Sequence, residues 1–184
     1  MIEIKDKIDS LKYINKLKLN TFGEKIFKNP TEQEVIDFMD ENPVKYYILR
    51  DKSKIGSKVY SNITRKEVLQ HYKEYKLFSI DIASYNYRDN KILTGDILIS
   101  KNNNFTITAS SNKDCDHRTF PKPNYFLNTD IFDKKINNIQ SVDKIIDYIY
   151  KHELFDVIIE FGVFDIPVGI NKECVVIYEL RTNY

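Results

Sequence analysis

Residues 157–181, VIIEFGVFDIPVGINKECVVIYELR, decide the fold. Two apolar runs are separated by a turn around Pro167 and Gly169, and each run carries one carboxylate, Glu160 in the first and Glu179 in the second. Alternation along a strand puts Val157, Ile159, Phe161 and Val163 on one face and Ile158, Glu160, Gly162 and Phe164 on the other. On the returning strand Val175, Ile177, Glu179 and Arg181 share a face by the same rule. Such a pair predicts an antiparallel hairpin. If the register brings the acids together, they form the kind of oxygen-only pair that holds magnesium beside nucleotide phosphates. A register displaced by two residues sets Glu160 against Arg181 as a salt bridge, and spacing alone leaves both readings open.

Upstream, residues 77–84, 92–100 and 105–110 are apolar runs separated by YRDN (87–90) and KNNN (101–104), which predicts an antiparallel meander. Residues 112–138 are polar, carry Pro121 and Pro123, and read as a long loop, the first place to seek a substrate. Residues 141–154 place Ile145, Ile146, Ile149 and Tyr150 at helical spacing. Ile4, Ile8, Leu11, Ile14 and Leu17 predict an amphipathic first helix, and Thr31 with Glu34 and Thr64 with Glu67 are capping-box pairs that open two more. Residues 44–50 read as a buried strand and 51–62 as a polar connection. The resulting order, ααβα, then βββ, then αββ, is an α+β arrangement, a mostly antiparallel sheet with packed helices. It splits into a small αβα subdomain over 1–76 and a larger antiparallel one over 77–184.

Lys and Arg number 28 against 27 Asp and Glu in 184 residues, and a net charge of +1 argues against duplex DNA as a partner. A 42% hydrophobic content with 13 Tyr and 11 Phe excludes a disordered chain. Two cysteines without a CxxC, and three histidines, exclude a zinc-finger pattern. No apolar run approaches the roughly 20 residues of a membrane span, and none has the make-up of a secretion signal, so the expectation is a cytoplasmic protein with no membrane partner. Abundant Lys, Asn, Ile and Tyr suit an AT-rich genome, such as that of a low-GC bacterium or its phage.

Cations gather in YYILRDKSKIGSKVYSN (46–62), where Arg50, Lys52, Lys54 and Lys58 flank Gly56. Such a cluster suits a polyphosphate, and a solvated Lys-rich turn is the other reading. Asp81 and Asp96 interrupt apolar strands and read as edge residues facing water. Cys115, Asp116, His117 and Arg118 are contiguous, which is poor geometry for a nucleophile and its base but suits His117 and Arg118 as anion binders.

In its order of elements the chain resembles the ATP-grasp fold, the nucleotide-binding module of carboxylate-amine and carboxylate-thiol ligases. LKLNTFGEKIFKNPTEQEVIDFMDENPVKYYILRDKSKIGSKVY (17–60) is similar to the small subdomain of that family, with Arg50 in place of the usual Lys. VIIEFGVFD (157–165) and CVVIYELR (174–181) are similar to its closing hairpin, with Arg181 where the pattern has Asn. The resemblance implies ATP and Mg2+ as cofactors. It makes Arg50 and one of Lys54 or Lys58 phosphate contacts, Glu160 and Glu179 magnesium ligands, and Arg118 or Arg181 the group that steadies an acyl phosphate. The implied function is an ATP/Mg-dependent, ligase-like enzyme that activates a carboxylate of a small anionic substrate. The alternative is a non-catalytic binding module of the same fold that captures a partner protein or small anionic ligand through residues 112–138. Single-stranded nucleic acid on the aromatic meander is disfavoured by the near-zero charge.

Overall fold

A computed structural model describes residues 4, 7–53, 58–113 and 123–182. In chain order the elements are α1 (Lys7–Lys16), β1 (Glu24–Lys28), α2 (Glu32–Glu41), β2 (Tyr47–Asp51), β3 (Val59–Ile63), α3 (Arg65–His71), β4 (Leu77–Ile82), β5 (Lys91–Ile99), β6 (Asn104–Ser110), β7 (Tyr125–Asp130), α4 (Val142–Lys151), β8 (Val157–Val168) and β9 (Glu173–Thr182). They form two compact units, Phe22–Asn86 and Met1–Thr21 with Tyr87–Tyr184. Both sheets are antiparallel throughout, so the α+β class stands.

In the unit Phe22–Asn86 the strands lie in the order β1-β4-β2-β3. α2 and α3 both begin with the capping boxes read from sequence: Thr31 accepts from the Glu34 amide and Thr64 from that of Glu67, and each glutamate answers the cap's own N–H. Such a cap stabilises a helix by about 1 kcal/mol. Val35, Phe38 and Met39 of α2 and Val68 of α3 bury against Phe27, Tyr47, Leu49, Phe78 and Ile80 of the sheet.

The second unit has the order β7-β6-β5-β8-β9. One face is apolar and packs on Val142, Ile145, Tyr148 and Ile149 of α4. Two expected boundaries move. Residues 77–82, expected to begin the second sheet, are instead inserted between β1 and β2, pairing Glu24 and Ile48 with Asp81 from either side. The first helix, expected in the small subdomain, covers the free edge of β9. The Leu180 N–H donates to Ser10 Oγ at 2.8 Å and the Ile4 N–H to Thr182 Oγ1 at 3.3 Å. In both cases backbone groups with no partner in the sequence-adjacent arrangement find one across the fold. β3 lies in what reads as a polar connection, and β7 in what reads as the 112–138 loop.

A second correction concerns faces. Glu160 pairs with Glu179 but Phe161 with Ile177, so Tyr178 is an extra residue on β9. This bulge reverses the alternation. Val175, Ile177 and Leu180 all enter the core, while Glu179 and Arg181 project from the opposite face.

The hairpin is clamped by Asn20, fully buried just after α1. Its Nδ2 donates to the carbonyls of Val168 (3.0 Å) and Val175 (2.7 Å), and its Oδ1 accepts from the Asn171 amide (2.9 Å). Its own amide donates to the Tyr148 hydroxyl (2.8 Å) and its carbonyl accepts from Ile177 (2.8 Å). Gly169 turns the chain beside it at φ +78°, where a Cβ would lie 2.5 Å from Asn20 Oδ1.

Candidate functional site

The register of three adjacent strands sets Asp96 opposite Glu160 and Glu160 opposite Glu179. Direct cross-strand partners project on the same side with Cβ atoms about 5 Å apart, so the acids form a row across β5, β8 and β9. The row lies on the sheet face that α4 does not cover. Gly162 belongs to the same face and stands beneath the Tyr178 hydroxyl and the Phe164 ring, where a Cβ would collide with both.

Like charges placed opposite one another destabilise a sheet, and two cations offset this row. Arg181 reaches past β8 and ion-pairs through Nη2 with Oδ1 of Asp96. Its Nε is buried and, among the described residues, has no hydrogen-bond partner. Lys7 of α1 brings Nζ to 3.4 Å from Glu179 Oε2, and because the lysine side chain is 66% exposed against 15% for the glutamate, the pair contributes little by itself. The register is therefore the one that joins Glu160 to Glu179, and the guanidinium goes to Asp96.

Among the described residues no group of three or more His, Cys, Asp or Glu side chains is gathered as a metal-ion set. The described residues thus do not build an all-protein cage. Magnesium, however, keeps several waters and is commonly held by one or two carboxylates together with substrate phosphates, and the donor chemistry of Glu160 and Glu179 fits that arrangement.

In the other unit, β2 carries Arg50, whose Nε donates to Asp81 Oδ2 at 2.7 Å, while Ser79 Oγ donates to Oδ1 at 2.8 Å. Lys52 pairs with Glu24 at 2.8 Å, and Glu24 is the cross-strand partner of Asp81. Burial pushes the Asp81 carboxyl above its ordinary value, the Glu24 charge adds to this, and Arg50 only partly opposes it. Asp81 and Asp96 are not edge residues: β4 and β5 are both interior strands, and each aspartate holds an arginine.

Lys58 bonds the Tyr60 hydroxyl and lies 3.5 Å from Glu74; the bond to Tyr60 raises its pKa. Glu74 also holds His71 Nδ1 at 2.6 Å, which helps keep its carboxyl below the usual range, and the His71 ring stacks on Tyr60 with centroids 4.2 Å apart. Lys54 and Arg118 lie outside the described residues. Glu160, Glu179 and Arg181 are therefore brought together, whereas Arg50 and Lys58 each stand in a local ion-pair cluster. Lys7, Glu24 and the true partners of Asp81 and Asp96 escape sequence reasoning. The one available signal is an acid interrupting an apolar strand.

Neither a protein-family model nor a curated protein sequence matches the chain. Solved structures do. One is N5-carboxyaminoimidazole synthase from Aspergillus clavatus in complex with ADP and its aminoimidazole ribonucleotide, 13% identical with a TM-score of 0.51 over 97% of this chain and 44% of that one. A second is the macrocyclase MdnC from Microcystis aeruginosa MRC bound with precursor peptide MdnA, 14% identical, TM-score 0.50, 95% of this chain and 51% of that one. A third is the D-alanine-D-alanine ligase from Coxiella burnetii, 12% identical, TM-score 0.50, 97% of this chain and 47% of that one. The chain thus spans about half the length of the structures it matches. The likeness shows an ATP-grasp-like fold. Among the described residues no helix is long and apolar enough to cross a membrane.

Proposed function

We propose that, on this ATP-grasp-like fold, the acid face of the five-stranded sheet is a magnesium-nucleotide site, and that the chain is an ATP- and Mg2+-dependent, ligase-like enzyme of the cytoplasm that activates a carboxylate as its acyl phosphate. The observation that supports this reading is the direct pairing of Glu160 with Glu179 on the face where Arg181 keeps a buried Nε–H that no described residue accepts. Magnesium, when bound, supplies charge to the β and γ phosphates. Glu160 and Glu179 hold it. Arg181 donates its Nε–H to a phosphoryl oxygen, the charge-assisted bond whose strength grows as negative charge develops. Arg50 and one of Lys54 or Lys58 neutralise the remaining phosphate charge, and Arg118 shares with Arg181 the task of steadying the acyl phosphate. The substrate is a small carboxylate-bearing anion.

Thermal shift and calorimetry with ATP, ADP and GTP, each with and without Mg2+, test this reading. A ligand at a hundred times its dissociation constant stabilises by about 2.7 kcal/mol. Magnesium-dependent stabilisation by a nucleotide is expected, and Glu160→Gln and Glu179→Gln each remove the magnesium-dependent part while circular dichroism stays unchanged. Stabilisation by none of the three nucleotides rejects the reading.

A second reading, the non-catalytic binding module, draws support from a specific feature: Arg50 and Arg181 are each already joined to an aspartate. In that case each cation holds its own sheet together, a partner protein or small anionic ligand docks through residues 112–138, and both glutamine variants bind it unchanged.

A further inference from the structure

The edge of a sheet is a row of unpaired backbone groups, and natural strands there are blunted by charge, irregularity or a cover. The five-stranded sheet has two edges, β9 and β7, and α1 covers the first. In the other sheet β1 carries three charges in five residues (EKIFK), and β3 is irregular, with a register shift against β2 and Asn62 at φ 56°. β7 has none of these protections. It runs YFLNTD in unbroken register with β6, bears a single charge, Asp130, at its end, and leaves Phe126 76% exposed.

One bond fixes which backbone groups this edge offers. The Ile131 N–H donates to Asn103 O at 2.8 Å. Alternation along an antiparallel ladder then turns Tyr125, Leu127 and Thr129 toward β6, and the N–H and C=O groups of Phe126, Asn128 and Asp130 outward. The Asp130 carbonyl accepts from the Asp133 amide at 3.0 Å, and the others meet no partner among the described residues.

We propose that this edge pairs with β7 of a second copy of the chain, antiparallel about a two-fold axis beside Leu127. In that register the strand is complementary to itself. Phe126 exchanges two main-chain hydrogen bonds with Asn128 of the copy, and the symmetric pair repeats them. On the core-facing side Leu127 meets its own equivalent in the closer, non-hydrogen-bonded kind of pair, and Tyr125 meets Thr129, an aromatic against a β-branched residue. Tyr125 and Leu127 pack on the core but are only partly buried, and the copy completes their burial. On the opposite face the two Phe126 rings are diagonal neighbours within reach of each other, which accounts for so exposed an aromatic. Asp130 stands opposite the neutral Asn124, so no like charges meet.

Symmetry also limits the assembly. The same patch serves both copies, an isologous contact that closes. The outermost strand at each end of the joined sheet is then β9, already covered by α1, so a dimer forms and not a fibre. Neither Glu160 nor Glu179 takes part, and the pairing stands apart from the nucleotide reading.

The test is sedimentation equilibrium of the full chain from micromolar to millimolar concentration, with NMR amide exchange at both ends of that range. A monomer–dimer equilibrium is expected. Exchange of the Phe126 and Asn128 amides should slow by about tenfold at the high end, whereas the Leu127 amide, bonded to β6, is protected throughout. Asn128→Pro removes an outward N–H and none that β6 uses, and Phe126→Lys sets two cations across the axis; each should leave a monomer with unchanged circular dichroism. A chain that stays monomeric at millimolar concentration overturns the proposal and leaves the edge to an extended peptide of another protein. A dimer whose Phe126 and Asn128 amides exchange as freely as the monomer's overturns it as well. The wild-type measurements decide even where a variant does not fold.

Discussion

Arg181 on β9 reaches across β8 to ion-pair with Asp96 on β5. The pairing leaves Glu160 and Glu179 opposite each other and neutralises the far end of the acid row; on the function proposed above, the same guanidinium also donates Nε–H to a phosphate. The two roles have opposite consequences for a bare cation and for a phosphate.

Arg181→Gln should therefore move two affinities in opposite directions. Removing a positive charge near two carboxylates favours free Mg2+ or Mn2+ by about 1 kcal/mol, or roughly fivefold, at this partly exposed position. Losing a charge-assisted donor weakens Mg-ATP by about 1.5–3 kcal/mol, or at least tenfold. Calorimetry with metal alone and with metal nucleotide separates them. If both affinities fall together, or neither moves, Arg181 is a structural cation only. Urea unfolding should show a loss of about 1 kcal/mol from the broken Asp96 pair, which is a third exposed and screened.

The Asn20 clamp gives a larger effect. Asn20→Ala leaves the buried Val168 and Val175 carbonyls and the part-buried Asn171 amide without their partner, and at about 1–3 kcal/mol for each of the two buried orphans a loss of roughly 2–6 kcal/mol is expected in denaturant unfolding. Gly169→Ala strains the same corner through its positive φ and its approach to Asn20 Oδ1, so the double variant should cost less than the two singles together. Strict additivity would mean that the two residues do not share one device. Tyr148, which receives the Asn20 amide, has its hydroxyl pKa pushed up to about 12 by burial, so it should remain protonated in an absorbance titration until the fold is lost.

Local signals in the sequence were legible and long-range ones were not. The two Thr-x-x-Glu boxes are contained within four residues, and Thr31→Ala and Thr64→Ala should each lower stability by about 1 kcal/mol. A change under a few tenths of a kcal/mol in urea unfolding at either site would show that its helix is held by packing alone. The hairpin and its two acids were legible because an acid in an apolar run is rare. The bulge at Tyr178 was not, since an inserted residue is recognisable only once a partner strand supplies the count. Val59–Ile63 and Tyr125–Asp130 are edge strands with few buried side chains, so no apolar alternation announces them. Leu77–Ile82 has the pattern of any interior strand, and nothing local says that its neighbours are β1 and β2 and not the strand that comes after it.

Asp81 yields a pH prediction whose sign is fixed by burial. Its folded pKa lies above the ordinary value of 3.8, chiefly through desolvation and then through Glu24, with Arg50 and Ser79 opposing. A carboxyl with a raised folded pKa contributes stability at low pH, below its unfolded value, and that contribution is lost as pH rises through the folded value. Ionised Asp81 is thus a burden at neutral pH that Arg50 only partly relieves. Asp81→Asn keeps the shape, still accepts from Ser79 through Oδ1, gives up the acceptor that Arg50 uses at Oδ2, and removes the titration. The stability of Asp81→Asn relative to wild type should improve as pH rises above the ordinary carboxylate range and level off once Asp81 is ionised in the folded state. Urea unfolding at half-unit pH steps measures this. A difference that is flat across the range, or that worsens as pH rises, would mean that the ion pair with Arg50 outweighs burial and that Asp81 is ionised without penalty.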